Sequence, residues 1–293
     1  MLIWNHCSRG TGIFGIYNGL LLAIALGLIP GLVPGVLEFE AIAQLPPTEA
    51  PVIPDGTLPN PSTVSTEMQG GNALMQIGGG TATGQNLFHS FERFSVPTDQ
   101  TVRFVPSGDI ARIIARVTGG DGSFIDGTLA SSGGAALFLI NPNGISFGPN
   151  AQLQLGGSFI ASTAESMVFA DGAEFRTGVN GNSTPLLTST VPLGLQLGAG
   201  SGDITGVGRG RTDTPGLTLA PGQTLGLLGR SLDFAGVAIA APSGDFQAGA
   251  VTSGTVGLDS NLQLNYDNVD QFGDLTLREG SFVRVTTAVP QVS

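Results

Sequence analysis

Apolar residues in this chain recur two apart, in short pairs: Leu137/Leu139, Ile145/Phe147, Leu153/Leu155, Leu225/Leu227, Leu232/Phe234, Val237/Ile239 and Leu275/Leu277. Side chains at i and i+2 share one face of a strand. Gly, Asn, Asp or Ser separates the pairs. No long amphipathic helix is present that could serve as a crossover between parallel strands. Short strands that turn repeatedly in one sense cannot each bury their own apolar face. They must stack, coil on coil, with every central backbone group paired to the next coil. The expected fold is all-β, a parallel β-helix. A β-sandwich fits the same texture, although sandwich strands usually run longer. With about 20 residues per coil and a step of about 4.8 Å, the expectation is roughly 12 coils and a rod near 60 Å.

The sharpest local signal is Asn141-Pro142-Asn143-Gly144-Ile145, which ends the apolar run Ala135–Ile140. Proline presets φ at the second turn position, and Asn and Gly tolerate left-handed backbone. Ala135–Ile140 therefore reads as a buried strand, followed by a tight turn and a new strand from Ile145. Asn141 and Asn143 can bond their own backbone or ladder along the rod. Upstream, Phe88 and Phe94 are expected to face inward on strands flanking Ser90. Ile110 to Val117 reads as a strand with Arg112 and Arg116 pointing out, or a single helical turn. The region 64–105 is less regular and more aromatic, and is expected to cover the first coil. Phe282–Thr287 looks like a strand in mid-array, so residues 186–293 are expected to be coils of a truncated exoprotein.

The first residues read as a targeting segment. Arg9 precedes a long apolar stretch, Ile13 to Leu37, and Ala41-Ile42-Ala43 supplies small residues before Gln44. That is the pattern of a cleaved signal peptide over residues 1–43, with Ala41, Ala43 and Gln44 marking the cut. The stretch is also long enough for a membrane anchor, but Gly27, Pro30, Gly31, Pro34 and Gly35 interrupt its second half. Cleavage leaves 250 of the 293 residues. Residues 44–63 then form a Pro-rich extended segment. Cys7 goes with the signal, so stability must come from packing and backbone ladders rather than disulfides. The remainder holds 10 Arg, no Lys and 20 Asp plus Glu, scattered singly. Such a balance disfavours nucleic acid and anionic membranes, since little is present to neutralise phosphate.

A β-helical hydrolase or lyase is the main rival class, because it needs convergent carboxylates. Asp203, Asp213, Asp233 and Asp245 are candidates, each in a turn-like context that equally fits a solvated loop residue. His89 is the one histidine after Gln44, and no second histidine or cysteine completes a transition-metal set. It is expected to be structural. Gly206-Val207-Gly208-Arg209-Gly210 lacks the lysine and following helix of a phosphate loop. It is expected to be a plain loop. Neither a catalytic residue, a metal nor a cofactor is assigned.

The segments Leu137–Ile145, Gly148-Pro149-Asn150-Ala151 and Gly156–Ala164 together resemble the two-partner secretion domain of filamentous haemagglutinin-like exoproteins. Asn86–Val96, with its aromatic–His–small–aromatic order, resembles the same family. The likeness is good over 64–185, taken as the secretion domain, and continues more weakly to 293. There Gly194–Gly198 and Gln271–Leu275 look like cyanobacterial-type members. The family's second turn, Asn-Pro-Asn-Leu, is missing: Pro106-Ser107-Gly108-Asp109 stands in its place. The resemblance implies a right-handed, single-stranded parallel β-helix with an N-terminal cap. It implies passage by the Sec translocon and signal peptidase to the periplasm, then through an outer-membrane Omp85-type β-barrel transporter. The end point is secretion or the cell surface, with a possible host or cell-surface ligand. On that likeness Asn141, Pro142, Asn143, Gly144 and Ile145 form a structural turn that is also displayed to the transporter. A small polysaccharide-active enzyme and a surface-layer protein are the alternatives.

Overall fold

Glycine, asparagine and proline interrupt the chain every few residues, so its strands are mostly short and turn at sharp corners. The computed structural model describes residues 50–178, 187–210 and 216–286. Glu49–Ser293 form one compact unit. The apolar stretch from Ile13 to Leu37, the cleavage residues Ala41, Ala43 and Gln44, and Asp213 lie outside the described residues.

Every regular element described is a strand. The first sheet stacks Asn86–Phe94, Arg112–Val117, Ala136–Ile140, Phe159–Ser162, Thr224–Gly229 and the start of Asp245–Leu258, all parallel. The second stacks Ser123–Ile125, Ile145–Phe147, Ile204–Val207, Leu232–Ala235 and Leu275–Arg278. The third face carries Asn72–Gly79, Thr101–Phe104, Thr128–Ser131 and Gln152–Gln154. A separate ladder follows on it: Leu217–Thr218, Ala238–Pro242 and Phe282–Thr286. The chain visits first, second and third faces in turn and then steps up one level. This is a parallel β-helix.

The rod is shorter than expected. One row of the first sheet advances 26 residues from Leu87 to Ile113, 24 to Leu137 and 22 to Phe159, and 21 from Leu225 to Phe246. Six levels stand on this face, not 12, and five steps of about 4.8 Å make roughly 24 Å. Two causes account for the difference. The coils are longer than 20 residues, and much of the chain builds layers outside the helix.

The largest such layer explains the apolar run Ala135–Ile140. After Ser162 the chain leaves the helix and forms the antiparallel strands Ser166–Phe169, Glu174–Arg176 and Pro192–Leu197. These pair on to the second half of Asp245–Leu258 and to Leu264–Phe272. This layer covers the outer side of the first sheet. Inward, Ile113, Leu137 and Phe159 join the lumen core with Ile145, Phe147, Leu129 and Leu153. Outward, Phe88, Ile114, Phe138 and Ile160 join a second core with Met167, Phe169, Phe175, Leu195 and Val256. A strand buried on both faces is apolar at every position.

Two expectations are corrected by that layer. Phe88 faces the second core and not the lumen; its ring lies 5.0 Å from Phe175 and 5.8 Å from Phe169. Arg116 does leave the lumen, as an outward residue should, but it does not reach solvent, being 2 % exposed under the covering layer.

The N-terminal edge is closed by antiparallel strands. Val52–Pro54 and Thr81–Thr83 both pair with Asn86–Phe94, and Ser62–Gln69 pairs with Asn72–Gly79. Gly70 and Gly71 supply the two positive φ values, 60° and 91°, that a two-residue hairpin turn needs. Capping the first strands removes open edges. The cap thus comes from Val52–Pro54, Ser62–Gln69 and Thr81–Thr83, mostly earlier than the 64–105 expected, since the strands at 72–79, 86–94 and 101–104 are levels of the helix itself. At the last described level Leu275, Leu277 and Val285 stand 46–49 % exposed, in register with buried Leu232, Phe234 and Ala241.

Candidate functional site

The Asn-Pro-Asn-Gly turn forms the corner between the first and second sheets at the third level, joining Ala136–Ile140 to Ile145–Phe147. Asn141 is fully buried. Its Nδ2 donates to the carbonyl of Asp121 at 3.0 Å and to Ser123 Oγ at 2.9 Å, both one level below. Its Oδ1 accepts the Asn143 backbone N–H at 3.0 Å, the Asx bond that sets the turn. Asn143 reaches down through Nδ2 to the Gly119 carbonyl at 2.7 Å, while Gly144 accepts from Ser123 N–H at 3.0 Å.

The level above is fastened as firmly. Gly202 N–H donates to the Pro142 carbonyl at 2.6 Å, and Ile145 N–H to the Asp203 carbonyl at 3.1 Å. Two glycines make this approach possible. Gly144 has a φ of 111°, which side chains rarely adopt. A Cβ on Gly202 would lie 2.8 Å from both Gly144 N and the Pro142 carbonyl oxygen. The turn is therefore a rivet through three levels. Its outer surface is limited: Asn143 is exposed, Pro142 and Gly144 are half-buried, and Ile145 points into the lumen core.

Charged forks flank this corner. Arg93 meets Asp121 at 2.8 Å, and Arg230 grips both oxygens of Asp203 at 3.0 Å. On the second sheet Arg278 grips Asp233 at 2.9 and 3.0 Å. The hydrogen bond from Arg230 holds the Asp203 carboxyl below its ordinary value, against partial burial; Arg278 does the same for Asp233. Each pair ties one level to the next. Asp245 accepts from Gln263 Nε2 at 3.0 Å. The described acidic candidates thus each have a separate partner and do not converge as an acid/base pair. Among the described residues no group of three His, Cys, Asp or Glu side chains is placed to hold a metal ion.

Sequence reasoning missed a buried polar cluster that anchors the N-terminal cap. Asp55, just after Val52–Pro54, accepts from Thr57 N–H and Thr57 Oγ1 at 2.8 Å, Ser90 Oγ at 2.5 Å and Thr118 Oγ1 at 2.7 Å. Arg116 donates to Ser90 Oγ and Thr57 Oγ1, each at 2.8 Å, and to the Arg176 carbonyl of the covering layer. Its guanidinium lies 4.3 Å over the Phe175 ring. Burial raises the Asp55 carboxyl, but its hydrogen bonds outweigh that and hold it below its usual value. Burial lowers the Arg116 guanidinium to about 10, with Asp55 opposing. The available signal was an arginine inside an otherwise apolar strand, Arg112–Val117. His89 is also buried, stacks with Phe91 and shares a 2.9 Å hydrogen bond with Ser62 Oγ. Burial pushes it down to about 4, so it is neutral at physiological pH.

The TPS secretion domain family matches residues 50–291. The chain belongs to the TPS secretion domain family. A TPS secretion domain marks an exported exoprotein of two-partner secretion, whose passage uses a partner transporter. The family is not one of enzymes. A comparison with curated protein sequences gave no significant match.

Proposed function

We propose that this chain is the secretion domain of an adhesin- or haemagglutinin-like exoprotein, without catalytic activity of its own. Residues 1–43 act as the signal peptide, cut between Ala43 and Gln44 after Sec-dependent transfer to the periplasm. An Omp85-type β-barrel in the outer membrane then recognises the domain and passes it to the cell surface or medium. The turn at Asn141–Ile145 contributes to that recognition through Asn143 and Pro142, its outward residues. The levels that follow stack on the capped first coils as they emerge, so that folding outside biases movement outward without ATP. No cofactor and no nucleic acid take part.

The observation that carries this reading is the family match across 50–291, joined to a β-helix whose N-terminal edge is capped. Direct binding tests it. The cognate barrel, purified in detergent, is immobilised and titrated with the purified chain. Saturable binding, weakened by Asn143→Ala in a protein of unchanged stability, is expected. Absence of binding to the barrel contradicts the proposal. Depolymerisation of a polysaccharide by the purified chain, lost in Asp203→Asn, points instead to the enzyme alternative.

A further inference from the structure

The Gly206–Gly210 run, expected to be a plain loop, begins within the strand Ile204–Val207, and its residues 207–210 form one wall of a cleft of about 370 Å³ at the corner between the second and third faces. Ligand pockets for small molecules begin at about this size. The cleft climbs the rod, taking Gln100 and Thr101 from one level, Thr128 from the next, Asn150 and Gln152 from the third and Arg209 from the fourth. We propose that it binds a short stretch of glycan bearing a carboxylate, such as a uronic acid residue.

Its chemistry leads to that class. Gln100, Thr101, Thr128 and Gln152 carry amides and hydroxyls, which donate and accept and so suit a hydroxyl-rich ligand. Exposed Val207 and Pro149 offer aliphatic contacts at the rim. Among the described lining residues Arg209 is the one cation, and it is positioned from behind. Asp126, 6 % exposed, accepts from the Asn150 backbone N–H at 2.8 Å, from Asn150 Nδ2 at 3.0 Å and from Thr98 Oγ1. Asn150 Oδ1 in turn accepts from Arg209 Nη2. Among the described residues Arg209 makes no other hydrogen bond and no carboxylate bridge; the Asp126 charge acts on it through space, and the rest of its fork is available to a ligand carboxylate. Asp99 shares the cleft, can accept from sugar hydroxyls, and disfavours a polyanion by its own charge.

An extended peptide fits less well. Strand addition needs unpaired backbone N–H groups. At the corner glycines these are already used: Gly127 donates to Val96, Gly148 to Ile125, Gly208 to Ala235 and Gly236 to Arg278. Side chains must do the recognition.

The test is calorimetric titration of the purified chain with cellotriose carrying one glucuronate unit, with neutral cellotriose and with an Asp-rich tripeptide. The expected result is tighter binding of the uronate than of the neutral trimer, by about tenfold, with Arg209→Gln removing the preference. Arg209→Lys should restore part of it, since a point charge remains without the fork. Arg103→Gln, which makes the same charge change on the third face, should leave binding unchanged. Circular dichroism and partner-dependent secretion should be unaltered in Arg209→Gln, which separates this site from the transporter reading. Failure of the uronate-bearing trisaccharide to bind at millimolar concentration overturns the proposal. So does equal affinity for both trisaccharides that survives Arg209→Gln, or binding of the tripeptide alone.

Discussion

Asn141 and Asn143 sit two residues apart and do different work. Asn141 is buried, with three hydrogen bonds fixing the corner; Asn143 is exposed, with one bond to the level below. Removing a buried polar side chain strands its partners, so Asn141→Ala should cost about 1–3 kcal/mol in urea unfolding. Asn143→Ala should cost at most about 1 kcal/mol. Equal losses would contradict the rivet geometry. His89 gives the molecule an acid weakness. Its folded value, near 4, lies below the unfolded 6.5, so the unfolded state binds more protons in between. Stability should therefore be full above 6.5 and fall as pH drops toward 4, by about 2 kcal/mol at pH 5. In His89→Gln the part of the pH slope between 6.5 and 4 should flatten. The turn was legible because Asn-Pro-Asn-Gly has few other uses. The burial of Asn141 was not legible, because it depends on Ser123, which reaches the corner only when coils stack.

At the scale of elements, the paired apolar rows announced strands and their inward faces, whereas the continuous run at 135–140 announced only burial. What it packs against, the strands at 166–197 and 251–272, arrives from far along the chain, so no local pattern could name it. Phe138→Ala probes that second core directly. Deleting a fully buried phenylalanine should cost about 3–5 kcal/mol, with the β-helix circular dichroism retained at low denaturant. The N-terminal cap has its own anchor. Asp55→Asn removes the charge that offsets buried Arg116 and should cost about 2 kcal/mol, less than a fully buried pair because Asp55 is half-buried. The difference should persist at pH 5 and vanish as pH falls through the depressed carboxylate range, where the wild-type Asp55 is itself protonated. Adding Arg116→Met should recover much of the loss, since the uncompensated charge is then gone. A double variant as unstable as the sum of the singles would refute the coupling.

For the whole molecule, the sequence carried the architecture but not its proportions. Short strands and glycine corners imply stacked coils. The coil length of 21–26 residues and the covering layer decide that there are six levels. After residue 43 the chain holds 10 Arg, no Lys and 20 Asp plus Glu, and among the described residues Arg93, Arg230 and Arg278 bridge levels. The central claim is passage through a partner. The direct measurement is secretion of the full chain from cells with and without the cognate outer-membrane barrel, as wild type and as Asn143→Ala. The account predicts release only with the barrel, and reduced release of Asn143→Ala although its signal is still cleaved. Equal release without the barrel, or folded protein held in the periplasm in its presence, would contradict it.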